Sequence, residues 1–182
     1  MRYIIFNKPY GVISQFTTDL NHRTLAEFDL PKEVYPVGRL DKDSEGLLLL
    51  SNDGLFIESF LKKHPRIYWS QIEKKPDEKD LYRLSRGVEI KSGLTLPCLV
   101  KSINPPELEG RIPPIRYRKT IPTSWLELEL KEGKNRQVRK MTAAIGHPTL
   151  RLYRIGLGKI RLFQNLNLKP GQWKEVSKNQ II

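Results

Sequence analysis

Four consecutive leucines, Leu47 to Leu50, are fenced by Gly46 on one side and by Ser51-Asn52-Asp53-Gly54 on the other. A short apolar run with no polar alternation, bounded by turn residues, reads as a strand buried on both faces. The residues just before it, Gly38-Arg39-Leu40-Asp41-Lys42-Asp43-Ser44-Glu45-Gly46, are therefore a charged loop feeding a central strand. Polar loops presented by a buried element are where binding and catalytic side chains concentrate.

The other elements are short. Arg2 to Phe6 is β-prone and is halted by Asn7-Lys8-Pro9-Tyr10-Gly11, where proline fixes φ and glycine permits positive φ. A second strand is expected at Val34 to Val37. Leu55, Phe60 and Leu61 mark a brief helix that stops before Pro65, Ile67 to Ile72 alternates as a strand, and Glu78 to Gly87 reads as a helix closed by its glycine. Two short strands fit Val88 to Ile103. Five prolines make Asn104 to Pro122 an extended, non-helical connector. Trp125 to Leu130 alternates apolar and acidic residues as a half-exposed strand does. Asn135 is expected to cap a helix whose inner face offers Val138, Met141 and Ile145, with Gly146 and Pro148 ending it. Leu150 to Leu157 and Trp173 to Val176 complete the strands. Strands and short helices without regular βαβ alternation predict an α+β fold, in one domain spanning residues 1–182.

Composition narrows the partners. Lys and Arg total 32 against 20 Asp and Glu, a formal charge of +12. Arg111 to Arg161 alone holds 13 basic and 3 acidic side chains, so about a quarter of the chain carries most of the excess. Such segregation points to a polyanion, and nucleic acid fits best, because neutralised phosphates release counterions. The single cysteine, Cys98, forms no intrachain disulfide, and His22, His64 and His147 are too scattered for a zinc site, so no metal is expected. No run approaches the roughly 18 apolar residues of a membrane span, and the N-terminal apolar stretch is too short for a signal peptide. The expectation is a soluble, cytoplasmic protein with no membrane partner.

Three readings of the charged loop compete. Asp41, Asp43, Glu45 and Gly46 fall at positions 1, 3, 5 and 6 of a calcium loop, but Asn52 occupies the position of the bidentate glutamate and no exiting helix follows. A solvated, salt-bridged turn without function is the second reading. The third is a catalytic carboxylate, for which Asp41 is best placed, beside Arg39 and after the apolar Leu40; a carboxylate near a guanidinium is held ionised and can serve as nucleophile or base. Spacing alone does not separate the last two. In the basic region, Lys134, Arg136 and Lys140 cluster at a helix start, where N–H groups and cations together attract anions, and Arg139 neighbours the buried stripe. Arg116, Tyr117, Arg118 and Lys119 interleave an aromatic with cations on a stiff segment, suited to phosphates and stacked bases or to a strap over a sheet edge.

Together these segments resemble the RsuA-like branch of the pseudouridine synthases. The first family motif resembles Phe6 to Gly11, the aspartate motif resembles Gly38 to Gly54, and the tyrosine segment resembles Arg66-Ile67-Tyr68-Trp69. The tail segments Pro113 to Arg116, Lys119 to Trp125 and Glu132 to Thr142 are similar to the RluE-type group, which acts on the 23S rRNA of the large subunit. The first motif begins five residues from Met1, so no N-terminal S4 module is expected, as in that group. The resemblance implies a long, mixed, mostly antiparallel sheet in two lobes with a central basic cleft, and isomerisation of uridine to pseudouridine in ribosomal RNA without metal or cofactor. It implies Asp41 as the group that starts glycosidic cleavage, Tyr68 packed on the target base, Arg139 paired with Asp41, and Arg39 entering the RNA where the nucleotide is extruded. Expected RNA contacts are Lys8, Arg39, Arg116, Arg118, Lys119, Lys134, Arg136 and Lys140, on a monomer. Two rivals of other classes are a non-catalytic rRNA-binding assembly factor and a nucleoside hydrolase using paired carboxylates.

Overall fold

The computed structural model describes residues 1–182, apart from the side chain of Asn165. In chain order the strands are β1 (Tyr3–Lys8), β2 (Val12–Ile13), β3 (Arg23–Thr24), β4 (Tyr35–Pro36), β5 (Glu45–Ser51), β6 (Arg66–Glu73), β7 (Glu89–Ile90), β8 (Gly93–Leu94), β9 (Leu99–Ile103), β10 (Thr123–Leu130), β11 (Thr149–Leu157), β12 (Ile160–Arg161) and β13 (Trp173–Glu175). The α-helices are α1 (Gly54–Lys63), α2 (Glu78–Arg86) and α3 (Gln137–Ala144). Parallel and antiparallel pairs coexist and helices are few, so the fold is α+β with a mixed sheet, as expected. The chain divides into two compact units, Met1–Arg66 with Tyr153–Ile182, and Ile67–Leu152.

In the first unit β5 is buried along its whole length, which is what its uninterrupted leucines require. β1 pairs antiparallel with it, Ile5 opposite Leu49, and β13 lines the other side of β1. The second edge of β5 is shared: β4 pairs antiparallel near its C-terminal end, and β11 pairs parallel at its start, Tyr153 opposite Glu45 and Arg154 opposite Gly46. β1 runs two residues past the expected end at Phe6, because Asn7 and Lys8 find partners indoors. Asn7 donates its side-chain amide to Leu168 O at 2.8 Å and accepts the Tyr153 hydroxyl at 2.7 Å. Buried polar groups are tolerated when so satisfied.

Helix α1 starts where Asp53 caps it, accepting the Phe56 N–H at 3.0 Å, and it stops before Pro65 as expected. The same carboxylate accepts the Tyr3 hydroxyl at 2.6 Å and the Lys178 ammonium at 3.1 Å. These bonds, the Tyr3 hydroxyl foremost, hold its pKa down to about 2. A carboxyl more acidic in the folded state than in the unfolded chain stabilises the fold fully above its unfolded value and loses that contribution as pH falls through its folded value. Asp53→Asn should therefore lower the melting temperature most at neutral pH, and its deficit against the wild type should shrink between about pH 4 and pH 2. A deficit that stays constant down to pH 2 in melts across that range would refute this account.

In the second unit the strand order is β11-β6-β10-β9, with Leu128 opposite Val100. Leu126, Leu128 and Leu130 are buried while Glu127 and Glu129 are half-exposed, the expected alternation of β10. They join Ile72, Leu84, Val138, Met141 and Ile145 in the core of this unit. Helix α2 carries an Asp77–Asp80 capping box and ends at Gly87, which has φ of +91°. Three short strands, rather than two, occupy Val88 to Ile103. Residues 104–122 hold neither strand nor helix, as five prolines dictate. They are nonetheless pinned: Arg111 donates to Leu150 O at 3.4 Å, and Arg151 to Glu109 O at 2.9 Å. One expectation fails at α3. Asn135 does not cap it; Arg136 occupies the cap in the left-handed conformation, and the Gln137 side chain instead accepts the Lys134 N–H at 2.9 Å. Ile145 lies just past the last turn but keeps its place in the core.

Candidate active site

In the first unit the loop between β4 and β5 is fixed at several points. Val37 is buried and donates its N–H to Leu49 O at 2.7 Å, and Gly38 turns the chain at φ +70°. Leu40 is buried, and its backbone N–H and carbonyl both bond the Ser14 hydroxyl, at 3.2 and 2.8 Å. Lys42 O accepts the Gly11 N–H at 2.8 Å, and Asp41 O accepts the Ser44 N–H at 3.0 Å. Asp41 is thus half-buried on a turn whose two flanking residues are each tied to residues 11–14. Arg39 is exposed beside it. Glu45 is buried as the first residue of β5 and so belongs to the strand, whereas Asp43 stays in the loop. Among the described residues no cluster of histidine, cysteine and carboxylates could hold a metal ion.

Lys8 is a correction to the expected RNA contacts. It is fully buried, its ammonium donating to Pro9 O at 2.9 Å and Val12 O at 2.8 Å. Burial pushes its pKa down to about 7, opposed by the carboxylates of Glu45, Asp43 and Asp41 and reinforced by Arg154. An ammonium held this way presents nothing to a phosphate in solvent. Ser14 and Arg154 were not singled out from the sequence. The only hint of Arg154 is that it is one of two cations, with Arg151, inside the largely apolar Leu150 to Leu157 run, and Ser14 offers none, since its partner is 26 residues away.

The remaining candidates lie in the second unit. Tyr68 sits on β6, half-buried and packed against that unit's core. Arg139 lies on α3, half-buried, with Nη1 donating to Thr149 O at 3.3 Å. Arg136 is exposed, and Lys140 donates to Asn135 Oδ1 at 3.1 Å. Lys134 is partly exposed, and its ammonium donates to Leu94 O at 2.6 Å in the β7–β8 hairpin. Arg116 and Lys119 are exposed on the pinned segment with Tyr117, while Arg118 pairs with Glu73 at 3.4 Å.

A solved structure titled "Crystal structure of pseudouridylate synthase" superimposes with a TM-score of 0.80 over 99% of this chain and 72% of that one, at 21% identity. The fold is thus the one seen in that structure. A family profile described as RNA pseudouridylate synthase matches residues 2–144. Similar proteins include "Ribosomal large subunit pseudouridine synthase E" of Vibrio vulnificus (strain CMCP6), 52% identical over 179 residues, covering 97% of this chain and 75% of that protein. A protein of the same name from Xanthomonas campestris pv. campestris is 49% identical over 177 residues, covering 94% of this chain and 93% of that one. This chain belongs to the RNA pseudouridylate synthase family and is an RNA-modifying isomerase.

Proposed function

We propose that this protein converts one uridine of the large-subunit 23S rRNA to pseudouridine, with Asp41 as the catalytic nucleophile. The observation that carries the reading is the Asp41 turn, held on both flanks by residues 11–14, within a chain about half identical to two relatives named for large-subunit pseudouridine synthesis. Asp41 adds to C1′ of the ribose or to C6 of the base, and the N1–C1′ bond breaks. The uracil rotates, C5 bonds to C1′, the bond to Asp41 breaks and returns the free carboxylate, the proton on C5 leaves, and N1 takes up a proton. Atoms and electrons balance without water, metal or redox partner. Tyr68 packs on the target base, and Arg139 pairs with Asp41 to orient it, roles supported by the match of their segments to the family motifs. The uridine is extruded first, since stacking hides the bond to be cleaved, and Arg39 fills its place. Arg116, Arg118, Lys119, Arg136 and Lys140 contact phosphates, which suits the charge segregation.

The protein acts in the cytoplasm as a monomer and a single catalytic domain in this reading. Among the described residues, no helix is long and apolar enough to cross a membrane. Pseudouridine mapping across rRNA from cells with and without the gene tests the proposal. One large-subunit position should lose its pseudouridine; an unchanged map would refute it.

A further inference from the structure

Asp41 has no regular secondary structure of its own to hold it, yet a nucleophile must sit within a fraction of an ångström of its target. Its support comes from residues 8–14. The Ser14 hydroxyl, itself buried, brackets Leu40 by donating to its carbonyl at 2.8 Å and accepting its N–H at 3.2 Å. The Gly11 N–H fixes Lys42 on the other side of Asp41 at 2.8 Å. The segment bearing both bonds is gathered by one cation: Lys8 Nζ reaches Pro9 O at 2.9 Å and Val12 O at 2.8 Å. Lys8 also stands in register with Gly46, the residue through which the loop enters β5, and Gly46 is in register with Arg154 on its other side.

We propose that Lys8 and Ser14 are positioning residues for the isomerisation: together they turn residues 8–14 into a brace that fixes the Asp41 carboxylate. The proposal rests on the assignment of Asp41 as nucleophile. Lys8 acts on Asp41 in two ways. Its hydrogen bonds shape the brace, and its charge faces the carboxylates of Glu45, Asp43 and Asp41 from β5 and its entry loop, with Arg154 of β11 as the opposing cation. Because burial brings its pKa down to about 7, that charge changes within the working range of pH. Below this value the ammonium draws the loop carboxylates toward the brace; above it the attraction is lost.

The test is single-turnover isomerisation of an rRNA substrate by the full chain, alongside RNA affinity and melting temperature, for the wild type, Ser14→Ala, Lys8→Met, Asp53→Asn and Asp41→Asn. Ser14→Ala should slow the step by between about tenfold and a hundredfold, the scale of an ångström-sized misplacement, with RNA affinity unchanged within about threefold. Asp53→Asn loses stability in α1, away from the brace, and should keep the wild-type rate per folded molecule. The wild-type rate should fall between about pH 6 and pH 8 as Lys8 loses its proton, and Lys8→Met should be slower and lack that limb. Wild-type rates per folded molecule in Ser14→Ala, or a Lys8→Met pH profile that superimposes on the wild type, would overturn the brace. Should Lys8→Met not fold, the Ser14→Ala arm decides alone. Activity retained in Asp41→Asn would sink the underlying assignment instead, so the two failures are distinguishable.

Discussion

Asp41→Asn should reduce isomerisation by more than about a thousandfold, a loss of about 4 kcal/mol of transition-state stabilisation, while RNA affinity stays within about tenfold. The amide has the shape of the carboxylate but is neither anionic nor nucleophilic, so the first bond-making step is removed. The turn itself should survive, because it is held by backbone atoms: Asp41 O to the Ser44 N–H, Leu40 to Ser14 and Lys42 to Gly11. The melting temperature should consequently move little. Binding persists because phosphate contacts made by cations elsewhere supply most of the affinity. The natural readout is loss of a hydrogen label from C5 of uridine in the RNA, since C5 sheds that hydrogen once it has bonded to C1′. Both rival readings also make distinct statements here. A hydrolase releases free uracil, and a non-catalytic rRNA binder gives no label loss even in the wild type. Undiminished label release by Asp41→Asn would end the assignment.

The parts of the fold legible in the sequence are those decided by local pattern. Leu47 to Leu50 announces a fully buried strand because an apolar run this short between turn residues has too few residues for a buried helix, and β10 shows its alternation residue by residue. Where a distant partner decides, local pattern misleads. Lys8 reads as a surface cation because lysine is rarely buried, but the chain folds back so that two carbonyls meet its ammonium. Asn135 reads as a helix cap by residue type, yet Gln137 reaches back to the Lys134 N–H and leaves Arg136 in a left-handed conformation. The candidate site divides the same way. The charged loop and Asp41 stand out by composition ahead of a buried strand. Tyr68 and Arg139 carry no local mark that separates them from core and solvated neighbours, and only the family resemblance raises them. Ser14 is invisible to both approaches, since its importance lies in a single hydroxyl meeting both backbone groups of Leu40 across 26 positions.

Gly46→Ala should be the most damaging small substitution in the first unit. Gly46 has φ of +102°, a conformation that costs any residue with a Cβ roughly 1–3 kcal/mol. Space is equally short: a Cβ there would run into the Arg154 carbonyl oxygen and lie 2.6 Å from the Tyr153 ring. The first obstacle is backbone of the strand paired in register with Gly46, and the second is a buried ring whose hydroxyl is bonded to Asn7, so neither gives way cheaply. Strain and overpacking together should cost about 3 kcal/mol or more, which for a chain of this size lowers the melting temperature by about 6–12 °C. Gly54→Ala supplies the contrast, since Gly54 opens helix α1 and a Cβ there meets nothing within 4 Å. That change should be neutral or stabilising by a few tenths of a kcal/mol. Urea unfolding of the two variants checks both figures. Gly46→Ala should also lose activity beyond what its unfolded fraction explains, because any shift at Gly46 moves the end of the loop that presents Asp41. Wild-type stability and rate in Gly46→Ala would mean that the close approach of β5 and β11 does not govern where Asp41 stands.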